Sequence, residues 1–365
     1  MTGQLKRIAV KIGSNVLANG DGTPDVQRMS DLVDQVAALH AAGISVVLIS
    51  SGAVASGRGE IKPAKKLDAV SSRQLYSAVG QTVMMSRYAA LFRRHNLVCG
   101  QVLTSKENFA DRTHYLNQKN CMETMLENGV IPVVNENDTV SVTELMFTDN
   151  DELSGLVAAM LNMDALIILS NVDGIFDGEP SQPDSRIIRS IGRTDDLSSV
   201  IRPGRSAFGR GGMLTKYHLA RKVAGEGIPV IIANGARKNI LLDLTAGKDV
   251  VCTRFQPSER AFSNIRKWIA HSEGFARGEV HIDEGAEKAL YADRATSILF
   301  VGIKHIAGRF MKDDIVKIIN ARSIPIGVGR AGYDSEKALS LIGKRNARPM
   351  IHCDYLYLDR TALPE

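Results

Sequence analysis

The 365-residue sequence is poor in cysteine, in aromatic residues and in net charge, and each shortage excludes a class of protein. The four cysteines are Cys99, Cys121, Cys252 and Cys353; no two form a CxxC pair, and none lies near a histidine at zinc-finger spacing. They therefore predict neither a disulfide framework nor a structural zinc site, and we predict no metal ligands in this chain. We expect four reduced cysteines that fill space in the core.

Long apolar runs and a strong charge of one sign are also missing. No run approaches the roughly 20 apolar residues that a helix needs to cross a bilayer, so we expect no membrane association. Residues 1–7 show no signal-peptide segment, which leads us to expect a cytoplasmic location. The 45 Lys and Arg exceed the 40 Asp and Glu by too little to indicate nucleic-acid binding. A hydrophobic content of 44% excludes a disordered chain.

Short apolar runs alternate with amphipathic stretches from the start of the chain to about residue 255. Strands are predicted at residues 7–12, 44–49, 97–103, 130–134, 165–169 and 228–233. Helices are predicted at residues 26–42, 71–95, 151–161 and 214–226. This alternation predicts an α/β fold with a parallel sheet that is covered on both faces. Ligands of such sheets bind beyond the carboxyl ends of the strands.

The pattern changes near residue 255. Residues 256–276 form a polar, helix-like connector that contains the sole tryptophan, Trp268. Shorter strands follow, at residues 278–282, 297–301, 315–319, 324–329 and 355–358. They indicate a small β-rich barrel. The predicted organisation is an α/β domain at 1–255, a connector at 256–276 and a β-rich domain at 277–365.

Two segments at predicted strand ends have features of anion sites. Lys11 lies inside the apolar strand 7–12, where its charge is costly to bury unless an anion meets it, and Gly13 lets the backbone approach a ligand closely. Residues 50–57, Ser-Ser-Gly-Ala-Val-Ala-Ser-Gly, follow a strand and open a helix, so unpaired amides point at one spot. The alternatives are an edge-strand lysine that reaches solvent and an ordinary serine helix cap.

Three further segments carry polar or charged groups at strand ends or helix starts. Residues 135–138, Asn-Glu-Asn-Asp, can grip an ammonium and a carboxylate together, unless they form only a solvated turn. Residues 148–151, Thr-Asp-Asn-Asp, contain more polar groups than a helix cap requires, which leaves some for a ligand or a lysine. Residues 209–216 place three glycines before Lys216, an arrangement that cradles phosphates; a flexible loop with a surface lysine is the alternative.

Taken in order, these five segments resemble the amino acid kinase superfamily. Residues 170–176, Ser-Asn-Val-Asp-Gly-Ile-Phe, are similar to the nucleotide-side loop of that family, which more often begins with Thr-Asp. The chain from about residue 278 resembles a PUA domain. Together the resemblances cover nearly the whole chain. They imply an α/β fold, an amino acid kinase-like parallel-sheet sandwich (αβα), followed by a small β-rich PUA barrel.

The resemblance also implies a role for each matched position. Lys11 and Lys216 would contact the phosphates of ATP and the transferring phosphoryl group, and Asp151 would hold both lysines. L-glutamate would be bound by Ser51, Asn135, Asp138 and Asn150. The ATP contacts would be Lys11, Ser170, Asn171, Arg210, Gly211, Gly212, Met213, Leu214, Thr215 and Lys216.

The implied reaction is transfer of a phosphoryl group from ATP to the γ-carboxylate of L-glutamate, which gives L-glutamyl 5-phosphate, the first step of proline biosynthesis. A glutamate side chain has a pKa of about 4.3 in water, so the acceptor is already ionised and needs no general base. The obstacle is repulsion between two anions. Two lysines, Mg2+ and helix N-termini would offset that repulsion and stabilise the transition state.

The resemblance further implies L-proline as a feedback inhibitor, a homo-oligomer (dimer or tetramer), and a glutamyl phosphate reductase that receives the labile product. Alternative substrates within the same fold are acetylglutamate, aspartate, carbamate, UMP and an isoprenoid phosphate. An alternative from another class is RNA binding through the PUA-like segment. The 14 basic and 12 acidic residues of 276–365 make a weak phosphate-binding surface, so we do not expect RNA binding as the main function.

Overall fold

A computed structural model describes residues 5–20, 22–110, 112–140, 150–178, 182, 184–192, 195, 197, 212–258, 264–270, 272–292 and 296–358. The chain divides into two compact units, Met1–Ala261 and Phe262–Glu365. The predicted connector 256–276 falls on both sides of this division. Within the described ranges, no helix is long and apolar enough to span a bilayer.

The first unit is built on one large sheet with helices on its faces. Its strands are β1 (Arg7–Ile12), β2 (Ser45–Ser50), β3 (Val98–Thr104), β4 (Val130–Glu136), β5 (Ala165–Ser170), β6 (Ser190–Ile191), β7 (Val230–Asn234) and β8 (Cys252–Phe255). Its helices are α1 (Val26–Ala41), α2 (Ala53–Glu60), α3 (Ala69–Arg93), α4 (Glu107–Ala110), α5 (Arg112–Glu127), α6 (Asn150–Met160), α7 (Met213–Gly225) and α8 (Ile240–Thr245). The predicted strands and helices of this unit all form, with ends shifted by a few residues.

Helix α1 shows how the sequence pattern produces these elements. Asp25 caps its start by accepting a hydrogen bond from the Arg28 amide, and Gly43 follows its end with a positive φ of 81°. Side chains spaced three and four apart, including Leu32, Val36 and Leu39, are buried against the sheet. A helix is therefore the conformation that buries this stripe.

The strand order is β3-β4-β2-β1-β5-β7-β8-β6, and the run from β3 to β7 is parallel. Strand β1 lies in the middle of this run, with Lys11 paired in register to Ile49 of β2 and Ile168 of β5. The interpretation of Lys11 as an edge-strand lysine is therefore wrong. Its ammonium group must find its partners inside the protein.

One end of the sheet differs from the prediction of parallel strands throughout. Strand β8 pairs antiparallel with β7, and β6 pairs parallel with β8. The large sheet is therefore mixed, parallel from β3 to β7 and antiparallel between β7 and β8.

The second unit has a five-stranded sheet of its own. It contains α9 (Asn264–Ala270), β9 (Gly278–Ile282), α10 (Glu284–Tyr291), β10 (Ile303–Gly308), β11 (Ile315–Ile319), β12 (Pro325–Arg330), α11 (Ser335–Leu339) and β13 (Leu356–Leu358). Short 3-10 helices lie at Glu273–Phe275, Phe300–Gly302 and Cys353–Tyr355. The strand order is β10-β9-β11-β12-β13. A separate apolar core, which includes Val280, Phe300, Ile318 and Met350, supports the sheet.

The prediction of a strand at residues 297–301 is wrong. Ile298 makes a single bridge to Ile351, and the chain then turns through the 3-10 helix at Phe300–Gly302 before β10 begins. A Cβ on Gly302 would lie 2.6 Å from the Cβ of Ala286 in α10, so this glycine lets the turn approach that helix closely. Ile298 and Phe300 are buried in the core, while Leu299 and Val301 are exposed, and the run forms no strand.

Candidate active site

The predicted site residues collect along one edge of the large sheet. Strands β4, β2, β1 and β5 are neighbours and run parallel, so their carboxyl ends lie in a row. Three gaps of about 4.8 Å make this row about 14 Å long. Asn135 and Asp138 stand at one end of it, Ser170 stands at the other, and Lys11 lies between them.

A buried carboxylate joins the two predicted lysines. Asp151 Oδ1 lies 2.5 Å from Lys11 Nζ, and Asp151 Oδ2 lies 3.0 Å from Lys216 Nζ. Asp151 is fully buried, while Lys11 and Lys216 retain 5% and 9% exposure. The interpretation of Lys216 as a surface lysine on a flexible loop is therefore wrong.

The charges of this group decide what it can bind. Burial by itself would raise the pKa of Asp151, but the positive charges of Lys11 and Lys216 and their hydrogen bonds outweigh that effect and hold the pKa below its ordinary value. Asp151 is therefore ionised at neutral pH. Two ammonium groups share one carboxylate, which leaves an excess of positive charge. The arrangement suits a polyanion.

Local packing explains how three distant segments meet here. Asp151 lies in the first turn of α6, where the helix dipole favours a negative charge, and Lys216 lies in the first turn of α7. A Cβ on Gly155 would lie 2.6 Å from Leu219 Cδ1, so the glycine allows α6 and α7 to pack closely. Gly13, after β1, donates its amide to Leu169 O at 3.1 Å. These contacts hold the three charged groups together.

A second cluster joins three of the residues predicted to bind substrate. The side-chain amide of Asn150 donates to Ser51 Oγ at 2.9 Å and to Asn135 Oδ1 at 3.0 Å. The same nitrogen lies 3.2 Å from Ser50 O. Because Asn150 and Asp151 are consecutive, the start of α6 connects this polar cluster to the lysine pair.

Asp138, two residues after the end of β4, completes the set of residues predicted to bind substrate. Its Oδ2 accepts from Ser77 Oγ at 3.1 Å, and its Oδ1 pairs with the Arg73 guanidinium. Asn135 and Asp138 are 3% and 8% exposed, so the solvated-turn interpretation of residues 135–138 is wrong.

The segment after β2 has the predicted shape but a different cap. Strand β2 ends at Ser50 and α2 begins at Ala53, with Gly52 between them at a φ of 108°, a conformation that favours glycine. Gly52 occupies the cap position, so the interpretation of Ser51 as an ordinary helix cap is wrong. The Ser51 hydroxyl accepts from Asn150 instead.

Sequence reasoning missed the face of α3 that lies along this cluster. Gln81 Oε1 accepts from Asn135 Nδ2 at 3.0 Å, and Tyr88 Oη lies 2.8 Å from Ser50 Oγ. Burial raises the pKa of Tyr88 to about 12, so its hydroxyl stays neutral. The available signal was the helical spacing of Arg73, Ser77 and Gln81, three polar residues four apart in a predicted helix.

The residues predicted to line the nucleotide are only partly described. Ser170 ends β5, and Asn171 follows it at the surface. Gly212 caps α7 without a side chain, and Thr215 Oγ1 accepts from the Gly212 amide at 3.3 Å. Met213 and Leu214 stand in the same first turn as Thr215. The predicted contacts Arg210 and Gly211 lie outside the described residues, as do Thr148 and Asp149.

Comparisons with known proteins agree with the fold. Residues 6–234 match the amino acid kinase family, and residues 278–352 match the PUA domain. The glutamate 5-kinase of Bacteroides thetaiotaomicron is 61% identical, over 98% of this chain and 100% of that protein. The glutamate 5-kinase of Chlorobaculum tepidum is 44% identical, over 97% of each chain.

A solved structure shows the same fold at low sequence identity. Carbamate kinase from Giardia lamblia bound to AMP-PNP is 19% identical to this chain, with a TM-score of 0.51 over 69% of this chain and 99% of that one. The predicted fold class, an amino acid kinase-like sandwich followed by a PUA domain, is confirmed.

Proposed function

Because the chain belongs to the glutamate 5-kinases of the amino acid kinase family, we propose that its polar cluster binds L-glutamate and that its lysine pair acts on the phosphoryl group transferred from ATP. The reaction transfers the terminal phosphoryl group of ATP to the γ-carboxylate of L-glutamate and is the first step of proline biosynthesis. The observation that carries our proposal is the position of the Asp151-bound lysines, between the polar cluster at β4 and β2 and the turn after β5.

The polar cluster binds L-glutamate in this proposal. The carboxylate of Asp138 attracts the positively charged α-ammonium group of L-glutamate, and the burial of Asp138 strengthens this attraction. Ser51, Asn135 and Asn150 supply hydroxyl and amide groups that can turn to bind carboxylate oxygens. Asn150 already contacts both Ser51 and Asn135, so little ordering is needed when the substrate arrives.

The lysine pair handles the transferring group. Lys11 and Lys216 contact the phosphates of ATP, and their charges offset the repulsion between the γ-carboxylate and the nucleotide. Asp151 keeps both ammonium groups in place before ATP binds, which avoids reorganisation during the reaction. No general base is required, because the acceptor is ionised at neutral pH.

The nucleotide side consists of Ser170, Asn171 and residues 210–216 in this proposal. The N-terminus of α7 lies beside Lys216, and the backbone amides of a helix N-terminus favour phosphate. The side-chain amide of Asn171 both donates and accepts, which suits contact with the nucleoside.

Mg2+ fits this site as an ion bound to the phosphates of the nucleotide. Both oxygens of Asp151 already face ammonium groups, so this carboxylate is engaged before any metal arrives. Mg2+ commonly keeps several waters and binds through substrate phosphates. We therefore propose that it enters with ATP and supplies charge neutralisation at the phosphates.

Assays of Lys11→Ala and Lys216→Ala by ADP release test the proposal. We expect each variant to lose at least about 100-fold in kcat, as removal of one preorganised charge-stabilising group typically does. Thermal unfolding of each variant separates this loss from misfolding. Turnover near the wild-type rate in both folded variants would refute the proposed roles.

Four further parts of the proposal follow from the family resemblance. L-proline would compete with L-glutamate, the chain would form a dimer or tetramer, and a glutamyl phosphate reductase would take up the product. A cytoplasmic location, where ATP and free glutamate meet, belongs to the same proposal. Inhibition by L-proline in the ADP assay and light scattering of the pure protein test the first two.

A further inference from the structure

One arginine nitrogen bridges two carboxylates at the glutamate end of the site. Arg73 Nη2 lies 3.0 Å from Glu136 Oε2 and also pairs with Asp138 Oδ1. Glu136 is 2% exposed, and Arg73 itself is largely covered. Of these three residues, the sequence pointed only to Asp138 as a substrate contact.

The bridge fixes the carboxylate of Asp138 from both sides. Arg73 holds Oδ1, and the hydroxyl of Ser77, one turn further along α3, donates to Oδ2. Without the guanidinium, the charges of Glu136 and Asp138 would repel each other at close range in a place that water scarcely reaches. The side chain of Asp138 would then turn away from its present direction.

The charges of this group also favour one kind of substrate. One guanidinium faces two carboxylates, so the three side chains together keep a negative charge at the end of the row of strands. An amino acid with a free α-ammonium group neutralises that charge. A dicarboxylic acid without the ammonium group brings no positive charge to this end of the site.

From this geometry we infer that Arg73 is a positioning residue that sets the affinity for the α-ammonium group of the substrate by orienting Asp138. The inference rests on the proposed contact between Asp138 and L-glutamate. Arg73 acts through Asp138 and leaves the phosphoryl transfer itself to the lysine pair.

Steady-state kinetics of Arg73→Gln test this inference. We expect KM for L-glutamate to rise by about tenfold or more, the range that loss of a hydrogen bond to a charged group produces. The values of kcat and of KM for ATP should stay within about twofold. The inhibition constant of glutarate, which lacks the ammonium group, should also change little. A merely structural defect would weaken glutamate and glutarate together.

Two more variants keep the test decisive if Arg73→Gln folds poorly. Arg73→Lys keeps the charge but loses the planar guanidinium, so KM for L-glutamate should fall between the values of wild type and Arg73→Gln. Arg94→Gln is the matched control, because Arg94 lies at the other end of α3 and donates to Ser30 Oγ at 2.9 Å. This control should keep the wild-type KM for L-glutamate.

A double-mutant cycle with Asp138→Ala separates this inference from the proposed function. If Arg73 acts through Asp138, the double variant should bind L-glutamate about as weakly as Asp138→Ala alone. Full additivity, or an unchanged or lowered KM in Arg73→Gln, would overturn the inference while the Asp138 contact stands. An unchanged KM in Asp138→Ala would instead remove the proposed contact on which the inference rests.

Discussion

At the residue scale, the lysine pair depends on a single buried carboxylate. Asp151 contacts both ammonium groups, and removing it would leave two positive charges close together in the interior. Loss of one partner from a buried ion pair costs about 3–5 kcal/mol in the free energy of unfolding. The same change would let the lysines move away from the positions that the transferring phosphoryl group requires.

Replacement of this carboxylate gives the sharpest prediction at this scale. We expect Asp151→Asn to lower kcat by at least about 100-fold and to destabilise the protein by about 3 kcal/mol. ADP release and chemical denaturation measure the two effects. Glu152→Gln, one residue further along and paired with Lys106 at 3.4 Å, is the control and should keep most of the activity. Wild-type kcat in Asp151→Asn would contradict the role.

The stabilising effect of Asp151 should disappear only in acid. The two lysines lower its pKa in the folded protein, although burial alone would raise it. A carboxylate with a lowered folded pKa stabilises the protein fully above its unfolded pKa, about 3.9, and loses that effect as the pH falls through the folded value. The stability difference between wild type and Asp151→Asn should therefore be constant from pH 5 to 8, on the order of 3 kcal/mol, and should shrink below about pH 4. A difference that shrank between pH 6 and 8 would contradict this assignment.

The sequence predicted the residues whose position follows from strand ends and helix starts. Lys11, Asp151 and Lys216 belong to this group, because a parallel sheet brings such ends together whatever covers it. Arg73 and Gln81 do not. Arg73 lies near the start of α3 and Gln81 near its middle, and their importance depends on which face of this helix meets the end of β4. Tertiary packing makes that choice. Polar spacing alone marks a face without showing what it contacts.

At the scale of elements, the substrate side is shaped by the close packing of α2 against α3. A Cβ on Gly80 would lie 1.7 Å from the backbone oxygen of Ala53, and one on Gly57 would lie 1.9 Å from that of Tyr76. Neither position has room for a side chain. This packing sets the position of the first residue of α2, which follows Ser51 by two residues.

Gly80→Ala should therefore force the two helices apart. We expect a loss of about 3 kcal/mol in stability and a raised KM for L-glutamate, because overpacking moves the start of α2. Gly59→Ala is the matched control: a Cβ there meets nothing within 4 Å, so the variant should be neutral or more stable by up to about 1 kcal/mol. Equal stability of the two variants by thermal unfolding would rule out this packing argument.

Most elements of the first unit follow from apolar periodicity, and the exceptions have physical reasons. Strand β8, which pairs antiparallel with β7, was not predicted, because its four residues, Cys-Thr-Arg-Phe, form no apolar run. In the second unit, the apolar run at 297–301 fits a strand in composition, yet Gly302 turns the chain beside α10. The polar strand β10 was missed because Lys304 and His305 interrupt the alternation.

At the scale of the whole molecule, every described site residue belongs to the first compact unit. The second unit has its own sheet and its own apolar core. The two lysines, Asp151 and the polar cluster all precede residue 217. The chemistry that we propose therefore needs no residue of the PUA-matching unit.

A fragment of residues 1–261 should accordingly retain glutamate-dependent ADP formation, with KM values for L-glutamate and ATP within about threefold of those of the full chain. Circular dichroism and thermal unfolding show whether the fragment is folded. A folded fragment without activity would mean that the second unit contributes to the reaction.

The central claim is that the Asp151-bound lysines bring the phosphoryl group and the γ-carboxylate together. A crystal structure with L-glutamate and a non-hydrolysable ATP analogue measures this directly. We predict oxygens of the terminal phosphate about 3 Å from both Lys11 Nζ and Lys216 Nζ, with the γ-carboxylate on the side of Asn150. A terminal phosphate far from both ammonium groups would contradict the account.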